Sequence, residues 1–247
     1  MPTSIRDTKK AMSLSTSIIK KRNTENSMKT IARLTGIGYL IIFIAGFYGN
    51  FYVLEGLVVQ GDVTATFNNI TNNPEMYRNG VMAFVIMVIT DLILAWPLYL
   101  LLKATNQKLA LASSLLRVIN AIFFFVALGS LFSICPTLNQ EGLNALETTQ
   151  AIDQFNLIWT EGLLVFGVHL LLLGSLLCNS LAFPKIVGIL VAIAGMGYLV
   201  DGTAQLLFSN YNSYKELFEM TVVIPGVAGE LSLTLWLLIK GVRTRKA

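Results

Sequence analysis

Polar side chains that could bind an ion or move a proton interrupt the long apolar segments of this chain. An ionisable group in such a segment is costly, so each one is a candidate for function and needs a partner. An arginine is protonated at all ordinary pH values and could hold an anionic group. A histidine beside a carboxylate could take up or release a proton. We name five of these residues the polar layer: Asp91, Arg117, Asn120, His169 and Glu230.

Six apolar runs contain these residues and must position them. Hydrophobic residues form 54% of the 247-residue chain and charged residues 13%, against about 25% charged in typical soluble domains. Each run approaches or exceeds the roughly 20 residues that a helix needs to cross a bilayer. None alternates as membrane β-strands do. We therefore predict an all-α integral membrane bundle of six transmembrane helices, at about residues 34–57, 79–102, 109–134, 156–178, 185–208 and 218–239.

The five residues come from four predicted helices and share one depth in the membrane. A rise of 1.5 Å per residue places them roughly 13 to 18 Å from the inner face. Arg117 and Asp91 lie on consecutive antiparallel helices, and we predict a buried ion pair between them. Glu230 and His169 form a second pair, or both join Arg117 in one network. Further polar residues lie near the outer face: Asn50, Glu161, Asp201 and Gln205.

A purely structural role is the alternative for this layer. Buried ion pairs can orient helices while adding little net stability. His169 could equally make an ordinary hydrogen bond between helices.

Basic residues predict the orientation, because cytoplasmic loops are enriched in Lys and Arg. With the N-terminus inside, fifteen of the 18 basic residues lie on the inner side. We thus predict both termini in the cytoplasm, with residues 1–30 as a polar basic tail, 31–242 as the membrane domain and 243–247 as a basic C-terminus. A short surface helix near Ser17–Arg33 is weakly indicated.

The two longer outer loops carry helix signals, although most loops are solvated connectors and we favour that interpretation here. Asp62 precedes the run 63–70 and is a typical helix N-cap. In the other loop, Leu143, Leu146, Ile152 and Phe155 would suit a short helix lying across the outer ends of the bundle.

Several classes of function are excluded or disfavoured by the sequence. Basic residues at chain ends and loops do not form a nucleic-acid surface. A single histidine with no cysteine at its depth argues against a zinc site, and no motif predicts a cofactor. The bilayer is therefore the expected partner, and the sequence leaves the oligomeric state open.

Five segments in order carry a resemblance to a known family: ARLTGIGYL at 32–40, GDVTATFNNI at 61–70, GVHLLLLGSLL at 167–177, FPKIVGILVAIAGMGYLVDG at 183–202 and PGVAGELSLTLWLLIKGV at 225–242. Together they resemble the six-span family catalogued as domain of unknown function 4386. The resemblance implies a protein of the bacterial inner (plasma) membrane. It implies no reaction and no catalytic residue.

Three functions remain open. The first is binding or transport of a small molecule, ion or lipid through the polar layer. The second is an intramembrane enzyme acting on a lipid, with His169 and Glu230 as base and orienting group and Ser175 as nucleophile by elimination. The third is a non-catalytic membrane partner or sensor. The absence of an evident nucleophile favours a role other than catalysis. A polar layer that opens to water would favour binding or transport, one that opens to lipid would favour the enzyme, and a sealed layer would favour a structural role.

Overall fold

Helices make up nearly all of the computed structural model, which describes residues 3–138 and 144–242. No strand occurs within those ranges, which confirms the all-α prediction. A π-helical segment, Tyr48–Leu54, follows α1, and a 3-10 turn, Cys135–Thr137, follows α5. The α-helices are α1 (Thr3–Phe47), α2 (Glu55–Leu57), α3 (Val63–Asn72), α4 (Pro74–Leu102), α5 (Gln107–Ile134), α6 (Ala145–Asn179), α7 (Lys185–Leu207) and α8 (Tyr211–Ile239).

Six helical segments of the described chain are long and apolar enough to cross a membrane. Large apolar side chains face outward along them; Trp96 is 66% exposed and Phe125 is 72% exposed. Water would not tolerate so much contiguous apolar surface, but lipid would. Each of the six predicted spans overlaps one of these segments, several of which begin earlier than predicted: Glu25–Leu57, Pro74–Leu102, Gln107–Ile134, Ala145–Asn179, Lys185–Leu207 and Ser213–Ile239.

The spanning helices pack in chain order and close into a ring. α1 packs against α4 and α8, and each later helix packs against the next. We call the proximal end the one that carries residue 3, residue 242 and the two short turns at 103–106 and 180–184. The distal end carries α3, the 3-10 turn and the turn at 208–210.

Small residues bring α6, α7 and α8 into close contact. A Cβ built on Gly188 would lie 2.6 Å from the Cys178 backbone nitrogen and 2.7 Å from the Gly174 oxygen. One on Gly229 would lie 2.8 Å from the Leu190 oxygen. The backbones touch without intervening side chains, as membrane helices commonly do at small residues.

The first distal connection contains the helix that its sequence signal predicts. The Asp62 carboxylate accepts a hydrogen bond from the Ala65 backbone nitrogen at 2.8 Å and caps α3. Thr66 and Ile70 are buried, and α3 packs against α6. This connection is therefore a packed element as well as a link.

The prediction of a separate helix before the fourth span was wrong. Leu146, Ile152 and Phe155 lie in the first turns of α6, which runs for 35 residues without a break. Asn144 caps it by accepting from the Glu147 nitrogen at 2.8 Å. No Gly or Pro occurs between 145 and 161 to interrupt the helix, so the connection merges with the span. Leu143 lies outside the described residues.

The N-terminal region is helical from Thr3 and continuous with the first span. The segment predicted as a surface helix is the middle of this longer helix and does not form a separate element. The cytoplasmic placement of residues 1–30 and the domain limits stay predictions. Residues 243–247 lie outside the described chain.

Two apolar cores fill the ring, one toward each end. The proximal core contains residues from all six spanning segments, for example Leu101, Leu170 and Leu237. The distal core, with Phe84 and Phe155 among its buried members, draws on α1 to α6 and the π-helical segment, but not on α7 or α8. The polar layer lies between the two cores.

Candidate functional site

The ion pair predicted between α4 and α5 is present at the centre of the polar layer. Arg117 Nη2 lies 2.5 Å from Asp91 Oδ1. Arg117 Nε donates to the backbone oxygen of Asp91 at 3.2 Å. Asp91 is 4% exposed and Arg117 is fully buried, so the two charges are matched away from water.

Aromatic groups enclose the rest of the guanidinium. Arg117 Nη1 donates to the Tyr39 hydroxyl at 3.1 Å. The guanidinium carbon lies 5.0 Å from the Tyr39 ring centre and 5.8 Å from that of Phe166. All three nitrogens of Arg117 therefore have protein partners, and two rings add cation–π attraction.

His169 is a neutral acceptor in this network. Its Nε2 lies 3.1 Å from Arg117 Nη1, and a guanidinium can only donate. Nε2 therefore carries no proton. The ring proton is on Nδ1, which donates to the Ser113 backbone oxygen at 2.8 Å. His169 thus joins Arg117 and shares no hydrogen bond with Glu230 within the described chain. The predicted pair of His169 and Glu230 is therefore wrong, and the predicted network with Arg117 includes His169 but not Glu230.

The structure does not give His169 the geometry of a catalytic base. The Ser113 hydroxyl lies 3.0 Å from Nδ1, but that nitrogen already holds a proton and cannot accept one from the serine. Ser113 is 3% exposed. Ser175 is exposed and lies six residues further along α6, about 9 Å by helical rise.

Asn120 completes the sealed part of the layer. Its Nδ2 donates to Asp91 Oδ2 at 3.2 Å. Its Oδ1 is buried and has no hydrogen-bond partner among the described residues. An unsatisfied buried acceptor costs about 1–3 kcal/mol.

Glu230 lies at the edge of the layer, on the α7–α8 side. Tyr198 donates to its Oε1 at 3.3 Å, and the side chain is only partly buried. Phe166 connects this edge to the centre, since its ring contacts Tyr198 at 5.3 Å and His169 at 5.6 Å. Arg117 acts electrostatically on Glu230 without forming an ion pair with it.

Two of the four outer residues meet in a distal cluster, which we define as Thr160, Asp201, Gln205 and Tyr211. Asp201 accepts from Gln205 Nε2 and from the Tyr211 hydroxyl, both at 2.7 Å. Thr160 donates to Gln205 Oε1 at 2.8 Å. Burial, reinforced by the hydrogen bond to Asp201, raises the pKa of Tyr211 above its ordinary value, which keeps its hydroxyl a donor.

The other two outer residues lie apart from this cluster. Asn50 donates to Glu55 at 3.2 Å in the π-helical region. Glu161 is exposed on α6.

Hydroxyl groups are what sequence reasoning missed. Tyr39 and Tyr198 bond to the polar layer through their hydroxyls. Ser113 bonds to His169 through its backbone oxygen, and its hydroxyl also lies 3.0 Å from the ring nitrogen. Ionisable and amide side chains stand out in an apolar run, whereas a tyrosine there resembles any other aromatic residue. The position of Ser113 could have indicated its role, because it precedes Arg117 by one helical turn and therefore lies on the same face of α5.

Six apolar helices around a buried ionic layer define this chain as a multi-pass membrane protein. Residues 34–241 match the family described as "Domain of unknown function (DUF4386)", and the chain belongs to that family. An "Uncharacterized protein" of Archaeoglobus fulgidus is 29% identical to it over 168 residues, which are 68% of this chain and 86% of the relative. No solved structure matches.

Proposed function

We propose that this protein binds a proton or one small cation at Glu230, at the edge of the polar layer. The net charge of the polar layer is the observation that supports this proposal. Arg117 supplies one positive charge and is paired with Asp91, while His169 is neutral because it accepts from Arg117. An ionised Glu230 therefore leaves the layer one negative charge in excess. At this depth such a charge requires a proton or a counterion.

The exposed side chains of the polar layer indicate from which side a ligand would reach it. Asp91, Arg117, Asn120 and His169 are at most 4% exposed, whereas Glu230 and Tyr198 are partly exposed. A cation that reaches the exposed edge of the layer would meet the Glu230 carboxylate and the Tyr198 hydroxyl first. Because protein groups already occupy every nitrogen of Arg117, the proposal places no anionic ligand there.

A carboxylate that exchanges a proton for a cation suits ion binding or ion-coupled transport. Intramembrane carboxylates of pumps and transporters act in this way. No three-residue cluster of metal-ligand type occurs in the described chain, so we favour a proton or an alkali-metal cation over a transition metal.

The burial of the other four residues of the polar layer supports a second candidate function, that of a non-catalytic membrane partner or sensor. In that case the ion pair would only fix the positions of α4 and α5. Loss of Glu230 would then leave every binding property unchanged.

We also propose that the protein lies in the bacterial inner membrane with both termini in the cytoplasm. The distribution of Lys and Arg supports this placement. Lipid is then its constant partner.

Infrared difference spectroscopy and calorimetry on the purified protein in maltoside detergent test the proposal. We expect a protonated carboxylic C=O band that disappears as pH is raised, or heat on addition of potassium chloride. Glu230→Gln should abolish the response. Glu161→Gln, which alters an exposed carboxylate, should preserve it. A response that is absent in the wild type, or unchanged in Glu230→Gln, overturns the proposal.

A further inference from the structure

A cavity of about 260 Å³ lies at the distal end, where α7 turns into α8. Four of the residues that line it are aromatic, and we name it the aromatic cavity after them. The Phe208 and Phe218 ring centres are 6.3 Å apart, and those of Tyr211 and Phe218 are 5.6 Å apart with nearly parallel planes. The aromatic lining residues are Phe208, Tyr211, Tyr214 and Phe218.

The charges around the aromatic cavity are predominantly negative. The Tyr211 hydroxyl donates to Asp201 at 2.7 Å, which makes its ring more electron-rich. Glu216 and Glu219 lie on the first turns of α8. Lys215 is paired with Glu219 at 3.4 Å, so its charge is already matched. A bound cation would therefore meet a net negative field.

We propose that the aromatic cavity binds a quaternary ammonium group, such as the head of a choline-containing compound. Aromatic rings grouped around a small space attract such cations through their π faces. Methylated ammonium has no N–H to donate, so it needs rings and diffuse negative charge instead of hydrogen-bond acceptors. The volume lies below the roughly 300–1,000 Å³ of pockets for whole drug-sized ligands, which fits a headgroup.

The position of the cavity fits a ligand from the membrane surface. It lies at the ends of two helices that are long and apolar enough to span a membrane, a level at which we expect lipid headgroups. Aromatic residues are common at this level as membrane anchors. An anchor role alone would not require four rings around one space beside a carboxylate, and this combination favours the binding site.

This site is separate from the proposed site at Glu230. The two carboxylates, Glu230 and Asp201, have different tyrosine partners, Tyr198 and Tyr211. Glu230→Gln should therefore leave ammonium binding at the aromatic cavity intact, so either proposal can fail without the other.

Saturation-transfer NMR tests the proposal on the full chain in phosphatidylglycerol nanodiscs. The probes are choline and its neutral isostere 3,3-dimethylbutan-1-ol, which has the same shape without the charge. We expect choline to bind and the alcohol to bind far more weakly. Equal binding of the two, or no binding of choline, overturns the proposal.

Substitutions then test whether choline binds at the aromatic cavity. Phe218→Leu keeps an apolar side chain but removes a ring, and should weaken choline binding roughly threefold to thirtyfold. Tyr211→Phe keeps the ring and loses the bond to Asp201, and should weaken it less. The matched control is Phe125→Leu, an exposed ring on α5, which should change nothing. Wild-type affinity in Phe218→Leu overturns the assignment.

A final comparison distinguishes the two sources of the ammonium group. In phosphatidylcholine nanodiscs, lipid headgroups would occupy the cavity and suppress the signal from free choline. A suppressed signal assigns the site to a lipid, and a retained signal assigns it to a free ammonium compound.

Discussion

Arg117 is the residue on which the arrangement of the polar layer depends. It contacts α1 through Tyr39, α4 through Asp91 and α6 through His169. One charged side chain thus connects four helices, including its own. Buried arginine tolerates this because its planar group offers donors in several directions at once.

Neutralising Arg117 alone should destabilise the protein strongly. Arg117→Gln leaves the Asp91 carboxylate buried without a counter-charge, which costs about 3–5 kcal/mol in comparable cases. The double variant Asp91→Asn/Arg117→Gln should recover part of this loss, because no unmatched charge remains. Denaturation midpoints in detergent measure both effects.

Arg78→Gln provides the control for this comparison. Arg78 pairs with Glu75 at 2.8 Å, but the glutamate side chain is 77% exposed, and exposed pairs contribute about 0–1 kcal/mol. Strictly additive losses in the double variant would show that Asp91 and Arg117 are not energetic partners.

The sequence was sufficient to predict this ion pair but not the partner of His169. Helical rise and the antiparallel order of α4 and α5 brought Asp91 and Arg117 to one level. Depth alone cannot tell which residues at that level face each other, so Glu230 was an equally good partner for His169. The choice depends on helix rotation, which packing across the whole ring decides.

At the scale of elements, the contacts among α6, α7 and α8 depend on glycine. The residues Gly174 and Gly188 face each other, and the carbonyl of Gly174 occupies the space that a Cβ on Gly188 would need. Backbone atoms cannot rotate away as a flexible side chain can. The interface between α6 and α7 therefore has little room for a side chain larger than glycine at position 188.

Gly188→Ala should consequently destabilise the bundle by about 1–3 kcal/mol, as overpacking usually does. Gly129→Ala is the matched control, because a Cβ there meets nothing within 4 Å. It should be neutral or stabilise by up to about 1 kcal/mol, since alanine favours helix over glycine. Thermal midpoints of the two variants give the comparison, and equal midpoints would contradict the packing argument.

Local sequence signals predicted where a helix begins better than whether two neighbouring helical segments are separate. Asp62 caps α3 as expected, because the cap is a short-range hydrogen bond that the sequence encodes directly. The merging of the distal loop into α6 was not predicted. The lack of Gly and Pro between 145 and 161 permits a continuous helix, but the burial of Ile152 and Phe155 against other helices, which local signals do not show, stabilises it. Nor did any local signal indicate the π-helical segment at Tyr48–Leu54.

At the scale of the whole molecule, the two cores differ in which helices they use. The proximal core involves every spanning segment, and the distal core omits α7 and α8. No described side chain from 211 to 225 is fully buried. Both proposed sites, at Glu230 and at the aromatic cavity, lie on the α7–α8 side of the ring, which the distal core does not include.

Orientation in the membrane determines which compartment these two sites face. With both termini in the cytoplasm, the aromatic cavity faces outward. Cysteine labelling in intact cells tests this after Cys135 and Cys178 are replaced by serine. Asn68→Cys, on the exposed face of α3, should react with a membrane-impermeant maleimide. Ala104→Cys, in the exposed α4–α5 turn, should react only after lysis, because the positive-inside rule places that turn in the cytoplasm. The reverse pattern would invert the topology and turn the aromatic cavity toward the inner leaflet.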